Sequence, residues 1–173
     1  MTRLPRSLAL AILLAACAAK PDAPTIQLTD VGFTLHLPAP MQQALDSIAP
    51  GFHTVRTTSY RSDVSQAALA GGGGLPALFA SLGDFNHDGA PDAAVEGTAP
   101  GDSALRVIVI LNGAKPTALE VARFASYDAD AVGIYLTGPP AGQNGAFVVV
   151  NYPDESTLYS YADGGFEGTK IGS

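Results

Sequence analysis

A chain of 173 residues with 47% hydrophobic and only 14% charged side chains is long enough for one domain with a real core. Its formal net charge of −7 argues against nucleic acid and anionic lipid surfaces as partners. Nineteen Gly and 13 Pro argue against long helices and for many short strands joined by turns, and the single Cys excludes an internal disulfide.

The N-terminus carries Arg3 and Arg6, then the apolar run Leu8 to Leu14, which is too short to span a bilayer as a mature helix. The run ends in Leu14-Ala15-Ala16-Cys17, and this pattern resembles a bacterial lipoprotein signal with its lipobox. The resemblance implies that residues 1–16 are a signal peptide and that Cys17 is acylated and becomes the new N-terminus. Its membrane partner is then reached through the lipid on Cys17. Residues 17–25 form a tether without hydrophobic period. The absence of Asp directly after Cys17 implies the outer membrane of the cell envelope over the inner one. The alternative is an ordinary secretory signal that leaves Cys17 as an incidental thiol. Loss of Arg3 and Arg6 makes the mature chain still more acidic.

Ile26 to Leu37 alternates loosely and predicts a strand or hairpin. Pro40 then opens a helix at a position that tolerates proline, with Met41, Ala44, Leu45 and Ile48 on one face and Pro50-Gly51 as its stop. That face is expected to be core packing, with a partner groove as the alternative. His53 to Thr58 favours a strand, and Asp63 to Ala70 is compatible with a short helix. Gly71 to Gly74 separates this α/β portion, residues 26–74, from the rest. It is read as a hinge or slack loop, because neither Lys-Ser nor Lys-Thr follows it as a phosphate loop requires.

The most specific stretch is Leu82 to Val95, which reads Asp84-x-Asn86-x-Asp88-Gly89-x-x-Asp92 between two apolar runs. Oxygens at this spacing line the inside of a loop that coils once around a hard cation, and Gly89 permits the sharp turn. Asp84, Asn86, Asp88, the carbonyl of Ala90 and Asp92 are the expected ligands. With no Cys or His at a ligand position, Ca2+ is the expected cofactor. The alternative is a solvated Asn/Asp/Gly turn that holds no metal.

Gly83 to Val95 resembles the calcium loop of FG-GAP/VCBS-type repeats, the units of integrin-like β-propellers. In that family the loop joins the first two strands of a four-stranded blade, and its ligands match the residues named above. The chain departs from the family in carrying His87 where Gly is usual, and one repeat where several are usual, which removes a closed propeller. A looser resemblance, to small exported bacterial proteins, rests on Pro50-Gly51-Phe52 and on a closing hairpin from Thr157 to Phe166.

From Leu75 onward eight strands are predicted: about 77–82, 93–97, 105–111, 118–124, 132–137, 146–151, 157–161 and 166–171. The β-branched runs Val107 to Leu111 and Phe147 to Val150 predict central strands covered on both faces. Asn112-Gly113, Asp154-Glu155 and Asp163-Gly164 sit where hairpin turns belong. The expected fold is mainly β over residues 26–173, with α+β character at its N-terminus. Two four-stranded antiparallel meanders resembling propeller blades are covered by one short helix.

Catalytic signals are weak. Gly101-Asp102-Ser103-Ala104-Leu105 is similar to the nucleophile block of a hydrolase family, but all three histidines precede Ser103, so no downstream base exists and a turn is expected. Asp128, Asp130, Asp154 and Glu155 would need to meet in a cleft to do acid/base work. Tyr127, Tyr135, Tyr152, Tyr159 and Tyr161 suit either a ligand surface or strand packing. The expected function is a calcium-stabilised, non-catalytic envelope module that binds or scaffolds another macromolecule, a protein or glycan. The alternatives are a small envelope hydrolase with a site between the two meanders, and a loop that senses external calcium.

Overall fold

A computed structural model describes residues 22–30, 32–70, 78–125, 127–139, 143, 145–153 and 155–172. The expected signal peptide and Cys17, the stretch Gly71 to Gly74 read as a hinge, and Asp154 lie outside these residues. Strands β1 (Thr25–Thr29) and β2 (Gly32–His36) form the expected hairpin, with Ile26 opposite Leu35. Helix α1 (Ala39–Ile48) carries its proline in the first turn and ends where the Ala49 N–H bonds to the Leu45 carbonyl. It buries Met41 and Leu45 against the core, while Ile48 is 37% exposed, so its apolar face is narrower than the spacing alone suggests. The helix lies on the first sheet, and the Arg106 guanidinium donates to the Ile48 carbonyl at its C-terminal end.

That sheet contains β4 (Ala80–Gly83), β5 (Asp92–Thr98), β6 (Leu105–Leu111) and β7 (Thr117–Phe124), paired antiparallel in chain order. All seven residues of β6 are buried, as its unbroken apolar run requires. A fifth strand joins it: β3 (His53–Thr54) pairs with the far end of β5, His53 opposite Thr98 and Thr54 opposite Gly97. Gly97 makes this approach feasible, because a Cβ there would stand 2.0 Å from the His53 carbonyl oxygen. The second sheet is the meander β8 (Ile134–Thr137), β9 (Ala146–Asn151), β10 (Glu155–Ala162) and β11 (Gly165–Gly172). Its last turn has φ 49° at Asp163 and 84° at Gly164, the paired positive values of a type I′ hairpin turn.

The fold is thus mainly β, with two antiparallel sheets and no closed barrel or propeller. Two elements of the ambiguous segment add to the expected meanders. The strand favoured at His53 to Thr58 forms as the short β3 and joins the first sheet, and the helix compatible with Asp63 to Ala70 forms as α2 (Ser62–Ala70) and packs against β8, so the cover is not one helix alone. Both follow from the segment 53–70, whose ambiguous pattern resolves only when Tyr60 bridges to Val132 and Val132 in turn bonds to Ser59.

The sheets meet where β8 lies along β4 and β5, and the Leu136 N–H reaches the Leu78 carbonyl at 2.6 Å. An aromatic cluster extends the contact: Phe85 against Phe147 at 5.2 Å, Phe147 stacked on Tyr159 at 5.4 Å, and Phe166 against both phenylalanines. Among the described residues no helix is long and apolar enough to cross a membrane.

Candidate functional site

The Asp/Asn loop spans the turn between β4 and β5, and its backbone is organised by its own side chains. The Asp84 carboxylate accepts the Asp88 N–H on one oxygen and the Gly89 N–H on the other, both at 3.0 Å. The Asn86 side-chain carbonyl accepts the Asp88 N–H at 3.2 Å, and its amide donates to Asp88 Oδ2 at 2.9 Å. Asp88 Oδ1 accepts the Ala90 N–H at 2.8 Å. Short polar side chains bonding to N–H groups two to five residues on are what draw the chain into a coil here. Gly89 completes the coil at φ 85°, with nothing within 4 Å of where a Cβ would stand.

Asp92 does something different. It is fully buried, and its two oxygens accept the N–H of Phe85 at 2.8 Å and of Asn112 at 2.7 Å. The first bond closes the loop at its base; the second ties it to the turn after β6. Burial pushes the Asp92 carboxyl above its ordinary pKa, opposed by the backbone N–H groups that favour its charged form. Asn112 also donates its side-chain amide to the Asp22 carbonyl at 2.9 Å, so the N-terminal segment enters the domain beside the loop.

Two more residues fasten the loop to the second sheet. Phe85, 1% exposed, inserts its ring into the aromatic cluster. His87 has φ 60°, the left-handed conformation for which glycine is the usual choice. Its ring packs so closely on Gly145 that a Cβ there would come within 2.3 Å of it.

For a hard cation, the fit is as follows. All donors are oxygens, Asp84, Asn86 and Asp88 are drawn together by the bonds just described, and each carboxylate oxygen that accepts one N–H keeps a further lone pair. Among the described residues no three His, Cys, Asp or Glu side chains converge as a metal cluster, because Asp92 is turned to backbone N–H groups and Asn86 stands where a third acid would be. The chemistry of the set suits calcium. Asp84, Asn86, Asp88 and the Ala90 carbonyl would hold it, and Asp92 would contribute only through lone pairs that its two N–H partners leave free.

Several of the other expected candidates are engaged in turns, ion pairs and ring contacts. Asp102 accepts the Ala104 N–H and pairs with Arg123 at 2.9 Å, so the Gly101 to Leu105 block is a turn with its acid engaged. The Ala104 N–H, with Arg123 behind it, holds the Asp102 carboxyl below its usual range. Asp128 accepts the N–H of Asp130, and Glu155 pairs with Lys170 at 2.9 Å; these acids are engaged in separate places. The cleft of about 310 Å³ between the two sheets is lined by Arg123, Phe124, Glu155 and Tyr159, and its charged groups are already in ion pairs. Of the tyrosines, Tyr135 is buried and Tyr159 and Tyr161 are partners of Phe147 and Phe166.

One group escaped the sequence analysis. Glu96, in the middle of β5, is fully buried; Tyr60 donates to its Oε1 at 2.5 Å, and its Oε2 has no partner among the described residues. Burial pushes the Glu96 carboxyl well above its ordinary pKa. A Glu inside the run Ala93-Ala94-Val95-Glu96-Gly97 was the available signal, since that strand has no solvent face.

Comparison of the chain with protein-family models, with curated proteins and with solved structures found no match.

Proposed function

We propose that this protein is a calcium-stabilised, non-catalytic module of the bacterial envelope, anchored by lipid at Cys17, that binds or scaffolds another macromolecule. The observation that carries the reading is the self-organised loop from Asp84 to Asp92, in which Asp84 and Asp88 accept the three successive N–H groups of Asp88, Gly89 and Ala90 while keeping lone pairs for an ion. Calcium bound there stiffens a junction made by Phe85, His87 and Asp92 between the first sheet, the turn at Asn112 and the second sheet. The ion is structural in this reading, because the loop it would hold also carries Phe85 and His87, whose rings pack on the second sheet. A non-catalytic role is supported by the engagement of Asp102, Asp128 and Glu155 in turns and ion pairs. The bond from Asn112 to Asp22 supports a tether that leaves the domain beside the loop.

Calorimetric titration of the purified full chain tests the ion. One calcium per chain should bind, with a dissociation constant on the order of 10⁻⁴ to 10⁻³ M as for extracellular modules, since Val95 replaces the bidentate Glu of an EF-hand. Magnesium should bind much more weakly. Absence of calcium heat in wild type, or equal heat in Asp84→Ala, contradicts the proposal.

A further inference from the structure

Away from the calcium loop, the hairpin β1–β2 stands over the segment that follows β3, and a cleft of about 630 Å³ opens between them. Phe33, Thr34, Thr54, Thr57, Thr58 and Arg56 line it, together with Val55. The volume lies within the roughly 300–1,000 Å³ of ligand pockets, and the composition is that of a ligand site: one ring, four hydroxyls and one cation.

Arg56 is the distinctive member. Among the described residues Arg61, Arg106, Arg123 and Lys170 are all held in ion pairs, while Arg56 and Lys115 make none. Lys115 is exposed in the turn after β6, whereas Arg56 lines three clefts that meet at Thr54. An arginine left without a carboxylate in a chain of net charge −7, and set among hydroxyls, is a binding group in search of an anion. The largest cleft has no acid in its lining; the smallest has Asp130, which would repel a second negative charge. Among the described residues Arg56 is the one cation in the lining of the largest cleft, so it balances the single charge of a carboxylate and would leave a phosphate dianion half-neutralised.

We propose that this cleft binds a hydroxyl-rich monocarboxylate of the uronic-acid class. The guanidinium of Arg56 takes the carboxylate, the threonine hydroxyls exchange hydrogen bonds with the sugar hydroxyls, and Phe33 offers a ring to the apolar face of the sugar. The inference is independent of calcium, because none of the cleft residues belongs to the loop from Asp84 to Asp92.

The test is an amide chemical-shift titration of the full chain with sodium glucuronate, glucose and acetate. Glucuronate should give saturable shifts at residues 33–34 and 54–58. Arg56→Gln, an exposed substitution that should leave the melting temperature unchanged, should weaken binding about tenfold or more, with Arg56→Lys between. A galacturonate trisaccharide that binds tenfold tighter than the monosaccharide assigns the end or interior of an acidic polysaccharide as the source; equal affinity assigns the free acid. Glucose binding as well as glucuronate overturns the role of Arg56, and acetate binding as well as glucuronate overturns that of the hydroxyls. Identical binding by wild type and Arg56→Gln overturns the site.

Discussion

The carboxylate of Asp92 accepts the backbone N–H of Asn112 at 2.7 Å, across 20 residues of chain, while its other oxygen holds the N–H of Phe85 at 2.8 Å. One buried acid therefore joins the base of the Asp/Asn loop to the turn between β6 and β7. Asp92→Ala would leave two interior N–H groups without acceptors, each costing about 1–3 kcal/mol. The expected loss is roughly 2–5 kcal/mol in denaturant unfolding, with no change in the m-value. Asp92→Asn should recover only part of it, because an amide offers one acceptor and turns its NH₂ toward the second N–H.

Phe85 is the loop's contribution to the core, and its ring meets both Phe147 and Phe166. Phe85→Ala should cost about 3–5 kcal/mol, as large-to-small changes at buried aromatic sites do. Because the same residue begins the coil, calcium affinity measured by titration should fall together with stability. A variant that loses stability with unchanged affinity would separate the packing of the loop from its ion chemistry.

His87 and Gly145 form a pair whose coupling is measurable. Gly145→Ala places a methyl within 2.3 Å of the imidazole at a residue with φ 77°, so it suffers both a clash and backbone strain. In the double variant with His87→Ala the clash with the imidazole disappears, while the strain of about 1–2 kcal/mol and a tight 3.1 Å approach to the Asp84 carbonyl oxygen remain. A double-mutant cycle should therefore give a coupling energy above about 0.5 kcal/mol; additivity would mean that the two residues do not touch.

Glu96 makes stability depend on pH in a definite direction. Burial raises its folded pKa well above the unfolded value of about 4.3, so its contribution is fully present below that value and is lost as pH rises toward the folded pKa. Tyr60, whose own pKa is raised by burial and then by Glu96, remains neutral throughout this window. Glu96→Gln keeps an acceptor for the Tyr60 hydroxyl and removes the titration. The stability of wild type relative to Glu96→Gln should fall as pH rises above the unfolded value, by at most about 1.4 kcal/mol per pH unit, and level off once the folded pKa is passed. Parallel pH profiles would show that Glu96 is ionised in the fold.

Much of this architecture was legible before any coordinates. The β-branched runs of β6 and β9 and the Asp163-Gly164 turn declared themselves, because each is governed by local chemistry: burial on both faces, and positive φ at a two-residue turn. The loop oxygens were equally visible. What stayed hidden depends on contacts between distant segments. β3 is two residues long and exists only because Gly97 admits the His53 carbonyl. The partners of Asp92 are backbone N–H groups, which no side-chain pattern records, and the burial of Glu96 follows from Tyr60 arriving 36 residues earlier in the chain.

Lipidation at Cys17 predicts that detergent-extracted protein carries an acylated N-terminal cysteine by intact mass, and that Cys17→Ala is released from membranes. Two or more acyl chains are needed for a stable hold. Wild type recovered unmodified from the soluble fraction would contradict the anchor.

Thermal unfolding of wild type in saturating calcium and in EDTA tests most directly whether the ion builds this fold. At calcium about a hundredfold above the dissociation constant, binding to the native state alone adds roughly 2.7 kcal/mol, which for a domain of this size raises Tm by about 5–10 °C. Asp88→Ala, which removes a loop oxygen at an exposed position, should melt at the same temperature in both conditions. Equal melting temperatures for wild type in calcium and in EDTA would contradict the proposal, and would make the coil from Asp84 to Asp92 a turn held by its own hydrogen bonds.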